Sequence, residues 1–251
     1  MIRSGIIASF ALTMFAGMFA WGYAAGAHGA FPYSILRDTK AALFPPASRT
    51  NVEYRLTRVP EISAEPYSAL ATRAEVVMVG DSITAGGRWD ELFPEVSIIN
   101  RGVPGDQVGG LELRTQSILG AEPERIFVMI GINDVAALNS NDQIMERFVR
   151  VSEALRSQGA TLYIQSIIPC RISEFGSCTR QMQEQIRALN SRLGELAAVD
   201  GAIYLALDQV MADENGFLEE FSIDGVHPSS AGFAKWRDLI AAHVTQEGPP
   251  S

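Results

Sequence analysis

The chain has 251 residues and a formal net charge of −9 at pH 7, and 47% of its residues are hydrophobic. This length and composition suit one globular domain of ordinary size, which can bury a full core without metals or disulfides. The acidic balance argues against nucleic acid as a partner, because phosphate binding requires a basic surface.

The N-terminal segment is apolar. Residues 5–27 contain no Asp, Glu, Lys or Arg, and they are long enough to cross a bilayer as a helix, which takes about 20 residues. Residues 1–30 are therefore expected to form an uncleaved signal anchor or a signal peptide cleaved near residues 25–27. Either one exports the protein. With an uncleaved anchor, the protein stays attached to the membrane with its folded domain outside the cytoplasm, and with a cleaved signal peptide it is secreted or periplasmic. A buried core helix is the third interpretation.

Residues 31–65 are expected to form a linker. Four prolines interrupt this stretch, and its apolar pieces are too short to build a core. The alternating pattern of a folded domain begins near residue 66. The expected organisation is therefore an anchor or signal peptide at 1–30, a linker at 31–65 and one domain at 66–246.

Five near-continuous apolar runs predict strands that are covered on both faces, as parallel strands are. These runs are residues 74–79, 96–100, 125–130, 161–168 and 202–207. Helical periodicity follows the last three of them, at residues 142–158, 180–199 and 228–245. This alternation predicts an α/β domain in which right-handed crossovers connect the strands of a parallel sheet.

Short polar and glycine-containing motifs follow the predicted strands. Ser82 follows the first strand, Gly102 and Gly105 follow the second, and Asn133 follows the third. His227 lies in the loop before the last helix. Ligands of parallel α/β sheets bind beyond the carboxyl ends of the strands. The motifs therefore predict a single site at that edge of the sheet.

The residue types in these motifs suit acyl transfer. A serine hydroxyl attacks efficiently only with a base within hydrogen-bond reach. His227 is the one histidine of three with a carboxylate three positions earlier and a proline directly after it. We therefore expect Ser82 as the nucleophile, His227 as the general base and Asp224 as the group that orients the imidazole. Pro228 is expected at the first position of the last helix.

An acyl-transfer site also needs hydrogen-bond donors for the oxyanion. The candidates are the backbone N–H groups of Ser82 and Gly105 and the side-chain amide of Asn133. Each has an ordinary structural alternative, because Ser82 could be a helix N-cap, Gly105 a turn residue and Asn133 a cap. Three nearby carboxylates are interpreted as braces of the loops: Asp81, Asp106 and Asp134.

The chain has two cysteines, Cys170 and Cys178, in a stretch that also contains Pro169 and Gly176. They form either a small loop-closing disulfide, which requires an oxidising compartment, or two free thiols. The apolar N-terminus favours the disulfide. No Cys/His cluster has the spacing of metal ligands, so no metal site is expected.

The motifs resemble the conserved blocks of the GDSL or SGNH hydrolase family, over about residues 74–245. Gly80-Asp81-Ser82 is similar to the first block, Gly105 to the glycine of the second, Gly131-Ile132-Asn133-Asp134 to the third and Asp224-Gly225-Val226-His227 to the fifth. The resemblance implies a flavodoxin-like, three-layer α/β/α sandwich with a five-stranded parallel sheet. The N-terminal hydrophobic helix would precede this domain.

The resemblance also implies ester hydrolysis by the triad of Ser82, Asp224 and His227, without a metal or organic cofactor. One departure is Gln107, since many relatives have threonine after the Gly-Asp pair of the second block, and this changes one wall of the pocket. The serine is also not in a Gly-x-Ser-x-Gly elbow, because Thr84 stands two positions after it. That argues against the α/β-hydrolase fold.

The stretch Gly80–Pro94 resembles those of small-ester and carbohydrate acetyl esterases. The expected function is a carboxylic ester hydrolase that removes acetyl or other short acyl groups from a carbohydrate or small ester, through an acyl-enzyme on Ser82. Two alternatives stay open: a lysophospholipase or thioesterase acting on lipid esters, and a non-catalytic, membrane-tethered glycan-binding protein. The expected partners are an acylated small molecule or glycan and a membrane, not nucleic acid.

Overall fold

The structure is a computed structural model that describes residues 73–172 and 178–245. The expected anchor at 1–30 and linker at 31–65 lie outside the described residues, as does the start of the expected domain at 66–72. Within the two described ranges, no helix is long and apolar enough to cross a membrane.

The centre of the domain is a five-stranded sheet in which all neighbouring strands are parallel. In chain order the strands are β1 Val76–Gly80, β2 Ile98–Gly102, β3 Arg125–Met129, β4 Thr161–Gln165 and β5 Ile203–Leu205. In space their order is β2-β1-β3-β4-β5. Each apolar run in the sequence overlaps one of these strands, so the predicted parallel sheet is confirmed.

The strand order changes direction at β1. The chain places β2 on one side of β1 and then returns to place β3 on the other side. Where the order reverses in this way, the loops that leave the two central strands diverge and open a crevice at the carboxyl ends. The binding crevice of this sheet therefore lies beyond Gly80 and Met129, the paired last residues of β1 and β3.

Burial explains why the central strands form unbroken apolar runs. Every residue of β1 and β3 is buried, because helices cover both faces of the sheet. The edge strand β5 is only three residues long, and Ile203 at its start is 36% exposed. The two-sided covering, and not a polar–apolar alternation, therefore produces the sequence pattern.

The described residues contain nine α-helices. They are α1 Ser82–Ala85, α2 Trp89–Leu92, α3 Val108–Leu113, α4 Thr115–Leu119, α5 Ile132–Ala136, α6 Asn141–Arg156, α7 Arg180–Asp200, α8 Asp208–Met211 and α9 Ser230–Val244. Before α9 come a β6–β7 hairpin, Ala212–Asp213 and Gly216–Phe217, and a 3-10 helix, Glu219–Phe221. The sequence predicts α6, α7 and α9, whereas the shorter elements are too brief to show a period.

Local chemistry sets the ends of α6 and α7. The first turn of α6 is a capping box, in which the Ser140 side chain accepts the Gln143 N–H and the Gln143 side chain accepts the Ser140 N–H. Thr179 caps α7 by accepting the N–H of its third residue. Gly201 then ends α7 with a left-handed φ of 72°, a conformation in which glycine often ends helices.

The last helix starts later than the sequence suggests. Ser229 is its N-cap and accepts the Gly232 N–H at 3.2 Å, so α9 begins at Ser230. The expectation that Pro228 occupies the first helical position is therefore wrong, because the Ser229 hydroxyl satisfies a backbone N–H that proline cannot cap. Pro228 instead forms an isolated bridge with Ser222 and holds the preceding loop.

Helices cover the sheet on two faces. On one face, the Trp236 indole of α9 donates to the Gln165 side chain at 2.7 Å and meets Trp89 of α2 edge to face, with ring centroids 4.9 Å apart. On the other face, α6 and α7 pack side by side and are joined by a 2.7 Å hydrogen bond from Ser152 to Asp200. The predicted three-layer α/β/α sandwich is confirmed.

Candidate active site

Ser82 lies directly beyond the carboxyl end of β1. It is the first residue of α1, and Asp81 caps this helix by accepting the Ile83 N–H at 2.9 Å. Glycine is required at position 80, because a Cβ on Gly80 would overlap the Met129 carbonyl oxygen of the neighbouring strand. This tight strand-to-helix turn places the partly buried Ser82 at the crevice.

Three side chains form a hydrogen-bonded relay at this point. The Ser82 hydroxyl lies 3.0 Å from Nε2 of His227, although the two residues are 145 positions apart in the sequence. On the other side of the ring, Nδ1 of His227 lies 2.7 Å from Oδ2 of Asp224. In this order of hydroxyl, imidazole and carboxylate, a histidine can remove the serine proton while the carboxylate holds the ring.

Asp224 also shapes the turn that carries His227. Its Oδ1 accepts the N–H groups of Val226 at 2.9 Å and of His227 at 2.7 Å. Desolvation alone would raise the pKa of Asp224, but hydrogen bonds from the His227 N–H and ring and from the Val226 N–H outweigh it and lower the pKa below its ordinary value. Asp224 is therefore ionised at neutral pH, the state that orients an imidazole.

The three candidate oxyanion donors lie in the segments that follow β1, β2 and β3: Ser82 begins α1, Gly105 is in a loop and Asn133 is in the first turn of α5. In the described part of the chain, the N–H groups of Ser82 and Gly105 have no hydrogen-bond acceptor. Gly105 has a φ of 78°, which glycine adopts freely. Asn133 uses one N–H of its amide to donate to the Asp106 carbonyl oxygen at 2.9 Å. Its second N–H is left for another acceptor.

Three buried carboxyl groups lie beneath this edge of the sheet. Asp81 caps α1, Asp106 accepts the Gln107 N–H at 3.0 Å and Asp134 accepts the Val108 N–H at 3.0 Å, so the prediction that they brace loops is confirmed. Burial raises the pKa of Asp81 to about 7 and that of Asp134 to about 6, and it also raises the pKa of Asp106. No group of acidic, His or Cys side chains among the described residues is placed to hold a metal ion.

Arg114 is a buried residue of this region that the sequence motifs do not reveal. Its side chain is 2% exposed, and Nε donates to Oδ2 of Asp106 at 2.8 Å. Nη1 donates to the Arg101 carbonyl oxygen at 2.8 Å, and Nη2 donates to the Gly80 carbonyl oxygen at 3.1 Å. In the sequence it is one arginine between two short apolar stretches, which is equally typical of a surface charge.

Gln107 joins the loop after β2 to the segment after α5. Its side-chain oxygen accepts from the Asn139 amide at 3.5 Å, and Asn139 also contacts Asp134 at 3.5 Å. A threonine at position 107 would be too short for this contact. The departure from the family pattern therefore changes how two site loops are connected.

The segment after α5 ends in an unusual conformation. The Asn139 N–H donates to the Asp134 carbonyl oxygen and the Leu138 N–H to the Val135 carbonyl oxygen, both at 3.0 Å. This is the Schellman pattern, in which the left-handed position is usually glycine. Here that position is Leu138, which has a φ of 64° and is 87% exposed.

A disulfide joins Cys170 to Cys178, with their Cα atoms 5.9 Å apart. Both cysteines are buried. The residue after the first of them, Arg171, donates its N–H to the Gly225 carbonyl oxygen at 2.8 Å. Gly225 lies in the turn between Asp224 and His227, so the disulfide anchors a segment that supports this turn.

Two curated proteins are similar to part of the chain. The GDSL-like esterase Rv1075c of Mycobacterium tuberculosis is 28% identical over 133 residues, which cover 49% of this chain and 40% of that protein. The uncharacterized lipoprotein YqeF of Bacillus subtilis is 29% identical over 118 residues, which cover 38% of this chain and 49% of that protein. The chain thus spans half or less of the length of these relatives.

Solved structures share the fold at low sequence identity. A GDSL-like lipase from Bacteroides thetaiotaomicron has a TM-score of 0.66 and 22% identity, over 74% of this chain and 96% of that chain. A variant of Axe2, an acetyl-xylooligosaccharide esterase from Geobacillus, has a TM-score of 0.56 and 18% identity, over 72% of this chain and 98% of that chain.

A family-level match covers most of the domain. Residues 78–235 match the GDSL-like Lipase/Acylhydrolase family. This range is more than half of the chain, and it includes all the residues of the relay and the three candidate oxyanion donors. The chain therefore belongs to the GDSL-like lipase/acylhydrolase family.

Proposed function

We propose that this protein is a serine-dependent carboxylic ester hydrolase that removes acetyl or other short acyl groups from a carbohydrate or small ester. The observation that carries the proposal is the relay of Ser82, His227 and Asp224, with distances of 3.0 and 2.7 Å. A serine that only caps a helix does not need a histidine beside it. A serine nucleophile does need a histidine as its general base, held in place by an ionised carboxylate. Family membership supports the same chemistry.

The reaction begins when Oγ of Ser82 attacks the ester carbonyl carbon and Nε2 of His227 takes the hydroxyl proton. Asp224 stabilises the imidazolium that forms. When the tetrahedral intermediate collapses, the bond to the alcohol oxygen breaks and His227 gives its proton to that oxygen. A water molecule, deprotonated by the same histidine, then hydrolyses the acyl-enzyme and releases the carboxylic acid and the Ser82 hydroxyl.

The negative charge of the tetrahedral intermediate would be met by the N–H groups of Ser82 and Gly105 and by the second amide N–H of Asn133. Donors held in place before the reaction stabilise this charge without reorganising, and each one typically contributes about 10²–10³ in turnover. The hydrogen bond from Asn133 to the Asp106 carbonyl oxygen supports this role, because it fixes the amide plane.

The proposed substrates are acetylated or otherwise short-chain esters of carbohydrates or small molecules. The Gly80–Pro94 stretch is similar to that of acetyl esterases, and the fold neighbour Axe2 is an acetyl-xylooligosaccharide esterase. The enzyme alternative is a lysophospholipase or thioesterase that acts on lipid esters. The alternative from another class is a membrane-tethered glycan-binding protein that retains the fold but not the hydrolysis.

We also propose that the domain works outside the cytoplasm. Disulfides persist in oxidising compartments, and Cys170 and Cys178 form one. The relative YqeF is a lipoprotein. In the proposed organisation, residues 1–30 are a signal anchor or signal peptide, residues 31–65 a linker and residues 66–246 the hydrolase domain. The membrane and an acylated glycan are then its partners, and nucleic acid is not.

The test is the release of p-nitrophenol from acetate, butyrate and octanoate esters by the full-length protein, with wild type beside Ser82→Ala and Ser97→Ala. Ser97 is an exposed serine at the opposite, amino-terminal edge of the sheet and serves as the matched control. We expect the highest activity on acetate, its loss in Ser82→Ala and unchanged activity in Ser97→Ala.

The other outcomes separate the alternatives. A preference for octanoate would favour the lipid-ester enzyme. If folded wild-type protein neither hydrolyses any of the three esters nor reacts with a fluorophosphonate at Ser82, the esterase proposal is wrong and the glycan-binding alternative stands. Equal activity of wild type and Ser82→Ala would contradict the assignment of the nucleophile.

A further inference from the structure

The guanidinium of Arg114 is a buried cation in the site region. Arg114 lies between α3 and α4, and its three hydrogen bonds all go to other segments of the chain. They reach the carbonyl oxygen of Gly80 at the end of β1, that of Arg101 in β2 and the carboxylate of Asp106 in the loop after β2. One planar group thus joins the ends of two strands to a loop.

Two of these three acceptors lie close in the sequence to a proposed reactive or oxyanion-binding group. Gly80 is separated from Ser82 by one residue, and its carbonyl oxygen also accepts the Val103 N–H at 2.9 Å. Asp106 directly follows Gly105, the second proposed donor. The guanidinium therefore fixes the distance between the turn that carries the nucleophile and the loop that carries an oxyanion donor.

The third proposed donor is connected to Arg114 through Asp106. The carboxylate of Asp106 accepts from Arg114 at 2.8 Å, and the carbonyl oxygen of the same residue accepts the Asn133 amide at 2.9 Å. The Asp106 N–H is also held, by the Val103 carbonyl oxygen at 3.0 Å. A shift of Asp106 would therefore displace the Asn133 amide as well as Gly105.

Close packing leaves little room for another side chain to replace this contact. A Cβ on Gly110 would overlap the Asp106 carboxylate, and a Cβ on Gly102 would overlap the backbone of Ala85 in α1. Arginine presents five donors in a rigid plane, whereas lysine is a flexible point charge. Lysine at position 114 could retain the charge, but its single nitrogen could not replace the three separate nitrogens that Arg114 uses.

We propose that Arg114 is a positioning residue of the active site, whose buried guanidinium holds the Ser82 turn against the loop that carries Gly105 and, through Asp106, the Asn133 amide. This inference rests on the proposed esterase function. Arg114 does not touch the reacting atoms, so its effect is on the alignment of the donors. A misplacement of about 1 Å in such a site can lower turnover by about 10²-fold.

The test compares wild type with Arg114→Lys and with the double variant Arg114→Met/Asp106→Asn. Removing Arg114 alone would leave the Asp106 carboxylate buried without a charged partner, which typically destabilises a fold, and the double variant removes both charges together. Arg125→Lys is the matched control, because Arg125 is also buried and pairs with a carboxylate, but it lies at the amino-terminal edge of the sheet.

The measurements are kcat and KM on p-nitrophenyl acetate with the full-length protein, together with hydrogen exchange of residues 80–82 and 103–107. For both Arg114 variants we expect kcat to fall by about 10- to 100-fold, KM to stay within about twofold, and exchange in these two segments to become faster. We expect Arg125→Lys to leave kcat and the exchange of both segments unchanged.

The two readouts distinguish a failure of this inference from a failure of the proposed function. Folded Arg114 variants with wild-type kcat would overturn the positioning role while leaving the esterase intact. If the wild-type protein does not hydrolyse the ester, the proposed esterase function is wrong. Hydrogen exchange then tests by itself whether Arg114 holds residues 80–82 against residues 103–107. Unchanged exchange of residues 80–82 and 103–107 in both Arg114 variants would contradict it.

Discussion

Asp81, directly before the proposed nucleophile, is expected to make the stability of the domain depend on pH. The residue is 1% exposed. Burial raises its pKa, a hydrogen bond from the Ile83 N–H opposes this, and the nearby carboxyls of Asp106 and Asp134 add to the rise, so the pKa moves from 3.8 to about 7. A carboxyl with a higher pKa in the folded state binds more protons there, so stability is lost as the pH rises towards the folded-state pKa.

The size of the effect follows from the shift. A rise from 3.8 to about 7 is about 3 pKa units, each equivalent to about 1.4 kcal/mol. The ionisation of Asp81 therefore lowers the free energy of unfolding by about 4 kcal/mol in total, across the window from about pH 4 to about pH 7. Between pH 5 and pH 8 the expected loss is about 2–3 kcal/mol.

Asp81→Asn isolates this contribution. The asparagine oxygen can still accept the Ile83 N–H, but the side chain carries no charge at any pH. We therefore expect the free energy of unfolding of Asp81→Asn, minus that of wild type, to increase by about 2–3 kcal/mol from pH 5 to pH 8. Urea denaturation at pH 5, 6, 7 and 8 measures this difference.

Asp90→Asn is the control, because Asp90 is exposed on α2 and is hydrated in both the folded and the unfolded state. The difference in the free energy of unfolding between Asp90→Asn and wild type is expected to stay constant over the same pH range. If the Asp81→Asn difference is also constant, or shrinks as the pH rises, burial does not hold Asp81 in its neutral form and the reasoning is refuted.

Two more predictions concern the loops around the site. Replacing Cys170 and Cys178 by serine is expected to lower the free energy of unfolding by about 2–3 kcal/mol through lost loop-closure entropy, and to lower kcat because Arg171 is released from beneath the catalytic turn. Urea denaturation and p-nitrophenyl acetate kinetics measure both, and wild-type values would contradict the anchoring role. Leu138→Gly is expected to raise the free energy of unfolding by about 1 kcal/mol, because glycine adopts a positive φ without steric cost. Ala136→Gly is the control and is expected to lower the free energy of unfolding, because Ala136 has no positive φ to relieve. A Leu138→Gly variant that is less stable than wild type would contradict the argument.

The sheet could be predicted from the sequence because its central strands are buried on both faces. This two-sided burial makes Val76–Gly80 and Arg125–Met129 continuous apolar runs, which are distinct from the surrounding helical periods. The strand order could not be derived from these runs, because it depends on which strands pair in space. The family resemblance implied the flavodoxin-like sandwich with five parallel strands, and the order of the strands came from the folded structure.

The positions of the site residues could be predicted for a topological reason. The carboxyl ends of parallel strands lie at one edge, so Ser82 and Asn133 had to lie at the same edge once the strands were assigned, and the pairing of β1 with β3 makes their strands neighbours. The Asp224–His227 spacing also carries a local signal, because a carboxylate can accept the N–H groups two and three residues later in a turn. The distances of the relay required the folded structure.

Arg114 and Pro228 illustrate what the sequence does not encode locally. Two of the acceptors of Arg114 are backbone carbonyl oxygens, which every residue has, and one of them belongs to Gly80, 34 positions away. No residue pattern marks such a contact. Proline is common in the first turn of a helix, so the sequence favours Pro228 for that position. In the structure Pro228 lies outside the helix, because Ser229 supplies the capping hydroxyl.

The separation of Ser82 and His227 by 145 positions has a consequence for the biosynthesis of the protein. The serine leaves the ribosome early, whereas its base follows only after the last strand of the sheet and just before the final helix. An unfinished or truncated chain therefore carries an inert hydroxyl that cannot react with the esters it meets. For the proposed esterase, catalysis therefore begins only after the segment that carries His227 has been synthesised and has folded against the Ser82 turn.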